Sequence, residues 1–259
     1  MALYKQNKKQ PEVDLLIHCS RKEVSEYQLD QIQKLFETEI NWELFINLVF
    51  NHGVATLVYR NLNQYFSQVV PDPILTQLRN HFMINAQTNL SLFKELLNTI
   101  DFLKQHNITC IPFKGLISAE LIYKDLSLRK CGDLDILVRA ADFRRAKQLF
   151  INEGFSQTLP DQAEIDYLQS GLFNEDRKLN IDLHYGIPPK SSLIKVKKLF
   201  NDTTCLSIHN KQINTFSRID MFLVMCINAT KEYWNQNLYQ YCDINEFLLT
   251  HNDIDLNII

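Results

Sequence analysis

The chain has 259 residues, 46% of them hydrophobic and 22% charged, a composition that excludes a disordered or collagen-like protein. Its 27 Lys and Arg against 30 Asp and Glu leave a net charge of −3, which argues against gripping a long stretch of nucleic acid by counterion release. No run of about 18 apolar residues offers a membrane span, and the N-terminal lysines are not followed by the apolar stretch of a secretory signal. A cytoplasmic protein with no membrane partner is expected.

The first 105 residues read as helical. Ser20 and Glu23 have the spacing of a capping box, ahead of Leu29, Ile32, Leu35 and Phe36 on one face. Asn41 can cap a second helix through Leu44 and Leu48 to Gly53. Asp72 and Pro73 form an N-cap and first-turn signal for a third and longer helix. Its apolar stripe runs Leu75, Leu78, Phe82, Ala86, Leu90, Phe93, Leu97, Ile100 and Leu103. At 1.5 Å per residue that helix is on the order of 50 Å long.

From Asn107 the period changes. Thr109 to Phe113 reads as a strand, Gly115 to Tyr123 as a short helix and Asp133 to Val138 as a second strand. Ala140 to Glu153 is amphipathic and ends at Gly154, and Phe155 opens another strand. Further strands are expected at Gly171–Glu175 and Leu179–Tyr185. After Pro188 and Pro189 come the basic residues Lys190, Lys195, Lys197 and Lys198, a strand pair near 204–216 and two closing helices, about 217–234 and 237–250. The expected division is a helical region over 1–106, a core with metal-binding carboxylates over 107–190, and a C-terminal strand pair with helices over 191–259.

Several chemistries are absent from this pattern. The six cysteines contain no C-x-x-C, so a zinc ribbon or thioredoxin-like site is poorly supported. The six glycines are too dispersed for G-x-G-x-x-G or a P-loop, and G-x-S-x-G does not occur. The carboxylates are more informative. In a strand, Asp133 and Asp135 share one face while Leu134 and Ile136 share the other. Asp182 and His184 share a face in the same way, opposite Ile181, Leu183 and Tyr185. A lone D-x-D is common on surfaces. A third carboxylate on a second apolar strand would complete a site for two Mg²⁺ or Mn²⁺ ions if the strands are neighbours.

Parts suited to phosphate lie nearby. Gly115 sits where a strand hands over to a helix, Lys114 precedes it, and Arg129 stands four residues before Asp133. The plainer readings are a solvated strand end for Lys114 and an ion pair with Asp125 or Asp133 for Arg129. His184 either orients a metal-bound water or phosphate, or is a packed, hydrogen-bonded histidine. The aromatics Tyr233, Trp234, Tyr239 and Tyr241 read first as core or interface.

Phe113-Lys114-Gly115, Tyr123, Arg129, the run Gly132 to Val138, Gly154-Phe155 and Ile181 to His184 occur in an order that resembles the uncharacterised nucleotidyltransferase family of the DNA polymerase β superfamily. The resemblance covers most of the chain. It implies an α+β fold, with a small mixed β-sheet core flanked by N-terminal and C-terminal helices. It also implies transfer of a nucleoside monophosphate from an NTP to a hydroxyl, with pyrophosphate leaving. By the resemblance Asp133 and Asp135 bind both Mg²⁺ ions, and Asp182 binds the ion nearest the acceptor and assists its deprotonation. Gly115 then lies against the triphosphate, with Lys114 and Arg129 neutralising charge. The usual Gly-Ser turn is Gly115-Leu116 here, so a hydroxyl contact requires Ser118 to reach. Asn228 stands where a His is frequent in the family. The expected acceptor is a small molecule, peptide or protein. The alternatives are a non-catalytic nucleotide-binding protein that keeps the fold, and a toxin-like enzyme acting on RNA ends or protein.

Overall fold

Pro11 opens the first helix, α1 (Pro11–Cys19), at a position whose N–H has no intrahelical partner in any case. It belongs to a computed structural model that describes residues 10–188, 194–231 and 237–252, so Lys190, Tyr233 and Trp234 lie outside the described residues. Helix α2 (Glu26–Leu35) is capped by Ser25 and Gln28, whose side chains and backbone N–H groups satisfy each other. The expected box at Ser20 and Glu23 is therefore displaced by five residues. Ser20 instead donates its hydroxyl to the Leu16 carbonyl at the end of α1, at 2.6 Å. Asn41 caps α3 (Trp42–Asn51) as expected, accepting from the Leu44 amide. Apolar periodicity alone leaves α1 and α4 (Ala55–Tyr65) unmarked.

Helix α5 (Asp72–Gln105) matches the expected length, with Asp72 as its first residue rather than its cap. Its buried face follows the hydrophobic stripe except near Leu90. Leu90 is 60% exposed, whereas Asn89 is fully buried and Asn85 nearly so. The reason is a connector that lacks ladder partners. After β1 (Cys110–Phe113) and α6 (Gly115–Tyr123), the chain makes one short helical turn at Leu126–Leu128 before β2 (Leu134–Val138). Four successive carbonyls of this connector accept side-chain hydrogen bonds from the N-terminal helices. Asn89 serves Leu126 and Arg129, Asn85 serves Ser127 and Arg129, and Thr56 of α4 serves Leu128. Buried carbonyls need donors, so amides displace leucine from the packing face.

The remaining elements are α7 (Ala140–Asn152), β3 (Ser156–Gln157), α8 (Asp161–Tyr167), β4 (Gln169–Asn174), β5 (Leu179–His184), α9 (Val196–Asn201), the pair β6 (Thr203–Ile208) and β7 (Lys211–Phe216), α10 (Arg218–Lys231) and α11 (Leu238–Thr250). The first five strands form one mixed sheet in the order β1-β2-β5-β4-β3. Only β2 and β5 run parallel; the other pairs are antiparallel. β6 and β7 form a separate hairpin, turned by His209 and Asn210 with positive φ at both, as a two-residue turn requires. Thr215 ties that hairpin to the sheet by donating to the Pro112 carbonyl at 2.7 Å. This is the expected α+β architecture, with a mixed sheet flanked by helical regions.

Replacing Asn89 by Leu removes both of its donations and strands the Leu126 carbonyl, while Asn85 still serves that of Arg129, so a loss of about 1–3 kcal/mol is expected. Leu90→Ala, on the exposed side, should stay within about 0.5 kcal/mol. Urea denaturation of the two variants separates the polar packing face from the hydrophobic stripe; the reverse ranking would reject the face assigned here.

Candidate active site

Parallel pairing of β2 with β5 puts Asp135 directly beside Asp182 in register. The adjacency left open by the sequence is thus decided. Side chains paired this way emerge on the same face of a sheet. One ligand atom from each of Asp135, Asp182 and His184 lies within 4.8 Å of the others. Asp133, one residue before β2, lies outside that group but lines the same cleft as Asp135 and Asp182. The cleft holds about 550 Å³, and Lys114, Gly115 and Arg129 also line it.

Lys114 is not a solvated strand end. Its Nζ lies 2.7 Å from Asp135 Oδ1, and His184 Nε2 lies 3.0 Å from the same oxygen. Burial alone would raise the Asp135 pKa, but Lys114 and His184 outweigh it and hold the carboxyl well below its usual range. His184 is fully buried, and that burial lowers its pKa, so it stays neutral and donates Nε2–H to Asp135. Its ring packs edge-on against Phe113 at 4.9 Å. The packed, hydrogen-bonded reading of His184 is the one the geometry favours, because the ring lies behind Asp135 rather than on the cleft wall. Asp182 accepts from Gln169 Nε2 at 2.8 Å, and burial raises its pKa.

The turn from β1 into α6 carries backbone strain. Lys114 has φ +55° and ψ −153°, a combination that costs a residue with a side chain on the order of 1–3 kcal/mol. Gly115 follows at φ +37°, which glycine adopts without penalty. Ser118 is buried within α6 and is not among the residues lining the cleft. A hydroxyl on the second turn of a buried helix faces its neighbours rather than the rim.

Arg129 pairs with neither Asp125 nor Asp133. Its Nε lies 2.7 Å from Oδ2 of Asp243 on α11, and the other oxygen of Asp243 accepts the Tyr123 hydroxyl at 2.9 Å. Its Nη1 reaches the Gly115 carbonyl at 3.4 Å. Asp243 escapes a hydropathy reading. In the structure it lies on a buried helical face with Gln240 and Glu246 beside Phe247. Gln169, Lys130 and Asn237 are further cleft residues not singled out by motif, while Asn228, noted as a departure from the family pattern, does line the cleft. Tyr239 lines it too, and its ring lies 3.2 Å from where a Cβ at Gly53 would sit, which with φ +68° reserves that position for glycine.

Burial, and then the charges of Asp135 and Asp182, push the Asp133 carboxyl up to about 6. A pKa raised on folding contributes stability that is complete below the unfolded value near 3.8 and is lost as pH rises through about 6. Metal-free Asp133→Asn should therefore unfold at a higher temperature than the wild type above about pH 6, with the advantage closing toward pH 4. A difference independent of pH in thermal unfolding would show that Asp133 does not feel its neighbours.

No curated protein matches this chain. Among solved structures, lincomycin-bound lincosamide antibiotic adenylyltransferase LnuA is similar with a TM-score of 0.45 and 15% identity, covering 60% of this chain and 94% of that one. The antibiotic-resistance factor ANT(2'')-Ia gives 0.45 at 10% identity, over 67% of this chain and 87% of the other. An antigenic nucleotidyltransferase-like protein from Paracoccidioides brasiliensis gives 0.39 at 15%, over 65% and 76%. The family model described as an uncharacterised nucleotidyltransferase matches residues 38–259, a span that takes in every residue of the cleft. By that match the chain belongs to the uncharacterised nucleotidyltransferase family.

Proposed function

We propose that this chain moves a nucleoside monophosphate from an NTP to a hydroxyl of a small-molecule, peptide or protein acceptor, releasing pyrophosphate, in a reaction that requires Mg²⁺ or Mn²⁺. The observation that carries the reading is the in-register pair Asp135 and Asp182 in a cleft also lined by Lys114, Gly115 and Arg129. A site of charged groups, strained backbone and raised carboxyl pKa values is costly unless a ligand uses it. The carboxylates fit divalent cations: hard oxygen donors of Asp135 and Asp182 converge from two strands, and Asp133, two residues before Asp135, lines the same cleft.

Asp133, Asp135 and Asp182 would hold the cations, which when bound neutralise the triphosphate and make the acceptor hydroxyl more acidic. The protein's own part is positioning and charge. His184 fixes the Asp135 carboxylate by hydrogen bonding from behind. Gln169 fixes Asp182, whose raised pKa makes it a better proton acceptor for the attacking hydroxyl. Lys114 balances Asp135 in the free protein and lines the cleft, where its ammonium can turn to a phosphate oxygen. The first N–H groups of α6, starting at Gly115, have no intrahelical partners and suit an anion. Ser118 adds nothing to this set in the geometry observed. Residues 107–190 then form the catalytic core, while regions 1–106 and 191–259 brace it and wall the cleft. A cleft of about 550 Å³ and a net charge of −3 suit a compact acceptor better than a long polyanion.

Thermal unfolding with each NTP, with and without Mg²⁺, tests the proposal. One NTP at about 100 times its dissociation constant should add roughly 2.7 kcal/mol of stability in the presence of the metal. Asp135→Asn and Asp182→Asn should each abolish that shift. No metal-dependent shift with any NTP, or an undiminished shift in both variants, would reject the site.

A further inference from the structure

We infer that Asp243 is a positioning residue for nucleotide binding, holding the Arg129 guanidinium so that one of its amino groups stays free for the triphosphate. The inference rests on the nucleotidyltransferase reading above, and it adds the C-terminal helix α11 to the machinery of the site. Arg129 is constrained at every other point. Its backbone carbonyl accepts from both Asn85 and Asn89 of α5. Its Nε donates to Asp243, and its Nη1 spreads over the carbonyls of Gly115 and Lys130 and the Cys131 sulfur at 3.4–3.9 Å. The Tyr239 ring lies 5.6 Å from the guanidinium carbon. Nη2 makes no hydrogen bond among the described residues, and the side chain keeps 15% of its surface open where it lines the cleft.

A guanidinium is a planar fork, so fixing Nε and Nη1 fixes the direction of Nη2. Asp243 supplies the only charged partner of that fork among the described residues, and Tyr123 fixes Asp243 in turn through its second oxygen. A purely structural ion pair has no need of a cleft-facing edge. Arg129 also touches Gly115, the residue expected against the triphosphate, so moving Asp243 displaces the fork and loosens that turn together.

The test is a double-mutant cycle on the full chain. The dissociation constant of the Mg²⁺–NTP that stabilises the wild type is measured by calorimetry for Asp243→Asn, Arg129→Met and the double variant. Circular dichroism first establishes that each is folded at the working temperature. Each single variant is expected to bind about tenfold more weakly, about 1.4 kcal/mol, with the double no weaker than Arg129→Met. Wild-type affinity in Asp243→Asn, or a penalty that adds in full to that of Arg129→Met, would overturn the inference. If Asp243→Asn does not fold, Asp243→Glu keeps the charge and moves the fork by one methylene. Weakened binding in that folded variant supports the role, and unchanged binding overturns it. A wild type that binds no NTP overturns the functional reading and this inference together, whereas a wild type that binds as tightly as Asp243→Asn overturns this one alone.

Discussion

Parallel, in-register pairing of β2 with β5 is the constraint on which the rest depends. It sets two carboxylates side by side at about 5 Å, the spacing of neighbouring strands, where an effective dielectric near 20 gives a repulsion of about 3 kcal/mol. The surrounding structure answers that repulsion. Lys114 supplies the countercharge to Asp135 from the strained backbone of the β1–α6 junction. His184, two residues after Asp182 on β5, reaches the same oxygen from a buried position. Asp133, which makes no ion pair among the described residues, has its pKa raised by burial first and then by the charges of Asp135 and Asp182.

The helices that enclose the sheet serve a second polar purpose. A connector between α6 and β2 that belongs to no sheet would leave its carbonyls unsatisfied inside the protein. Thr56, Asn85 and Asn89 supply the donors, and in doing so fix the backbone on which Arg129 stands. Asp243 and Tyr123 fix the other end of that side chain. The N-terminal and C-terminal helices, far apart in sequence, therefore converge on one arginine beside the cleft.

Local signals were readable where one residue type has one physical use. Asn41 as a cap, Gly154 as a helix terminator with φ +86°, the Gly115–Tyr123 helix and the β6–β7 pair all stand where spacing placed them. Hydrophobic periodicity placed α5 and most of its inward stripe but missed at Leu90, which faces solvent while two asparagines face the core. Those amides are buried to satisfy a partner some forty positions away, and no window along α5 contains that information. Ser20 is a different case, because its partner is local: its hydroxyl reaches back four residues to the Leu16 carbonyl and closes the helix before it rather than opening the next.

The sequence by itself determined the chemistry available: three aspartates on two apolar strands, a Lys-Gly turn, an arginine, and the alternation of strands and helices that makes an α+β core. Side-chain alternation along a strand is a property of the local backbone, so the shared face of Asp133 and Asp135 needed no tertiary knowledge. Only the tertiary structure decided that β5 lies next to β2, that His184 stands behind Asp135 rather than in the cleft, and that Arg129 belongs to Asp243. Strand order, burial and ion-pair choice depend on contacts between residues tens to more than a hundred positions apart. Such contacts are selected by the packing of the whole chain, because each buried charge takes the partner that the completed fold brings within reach.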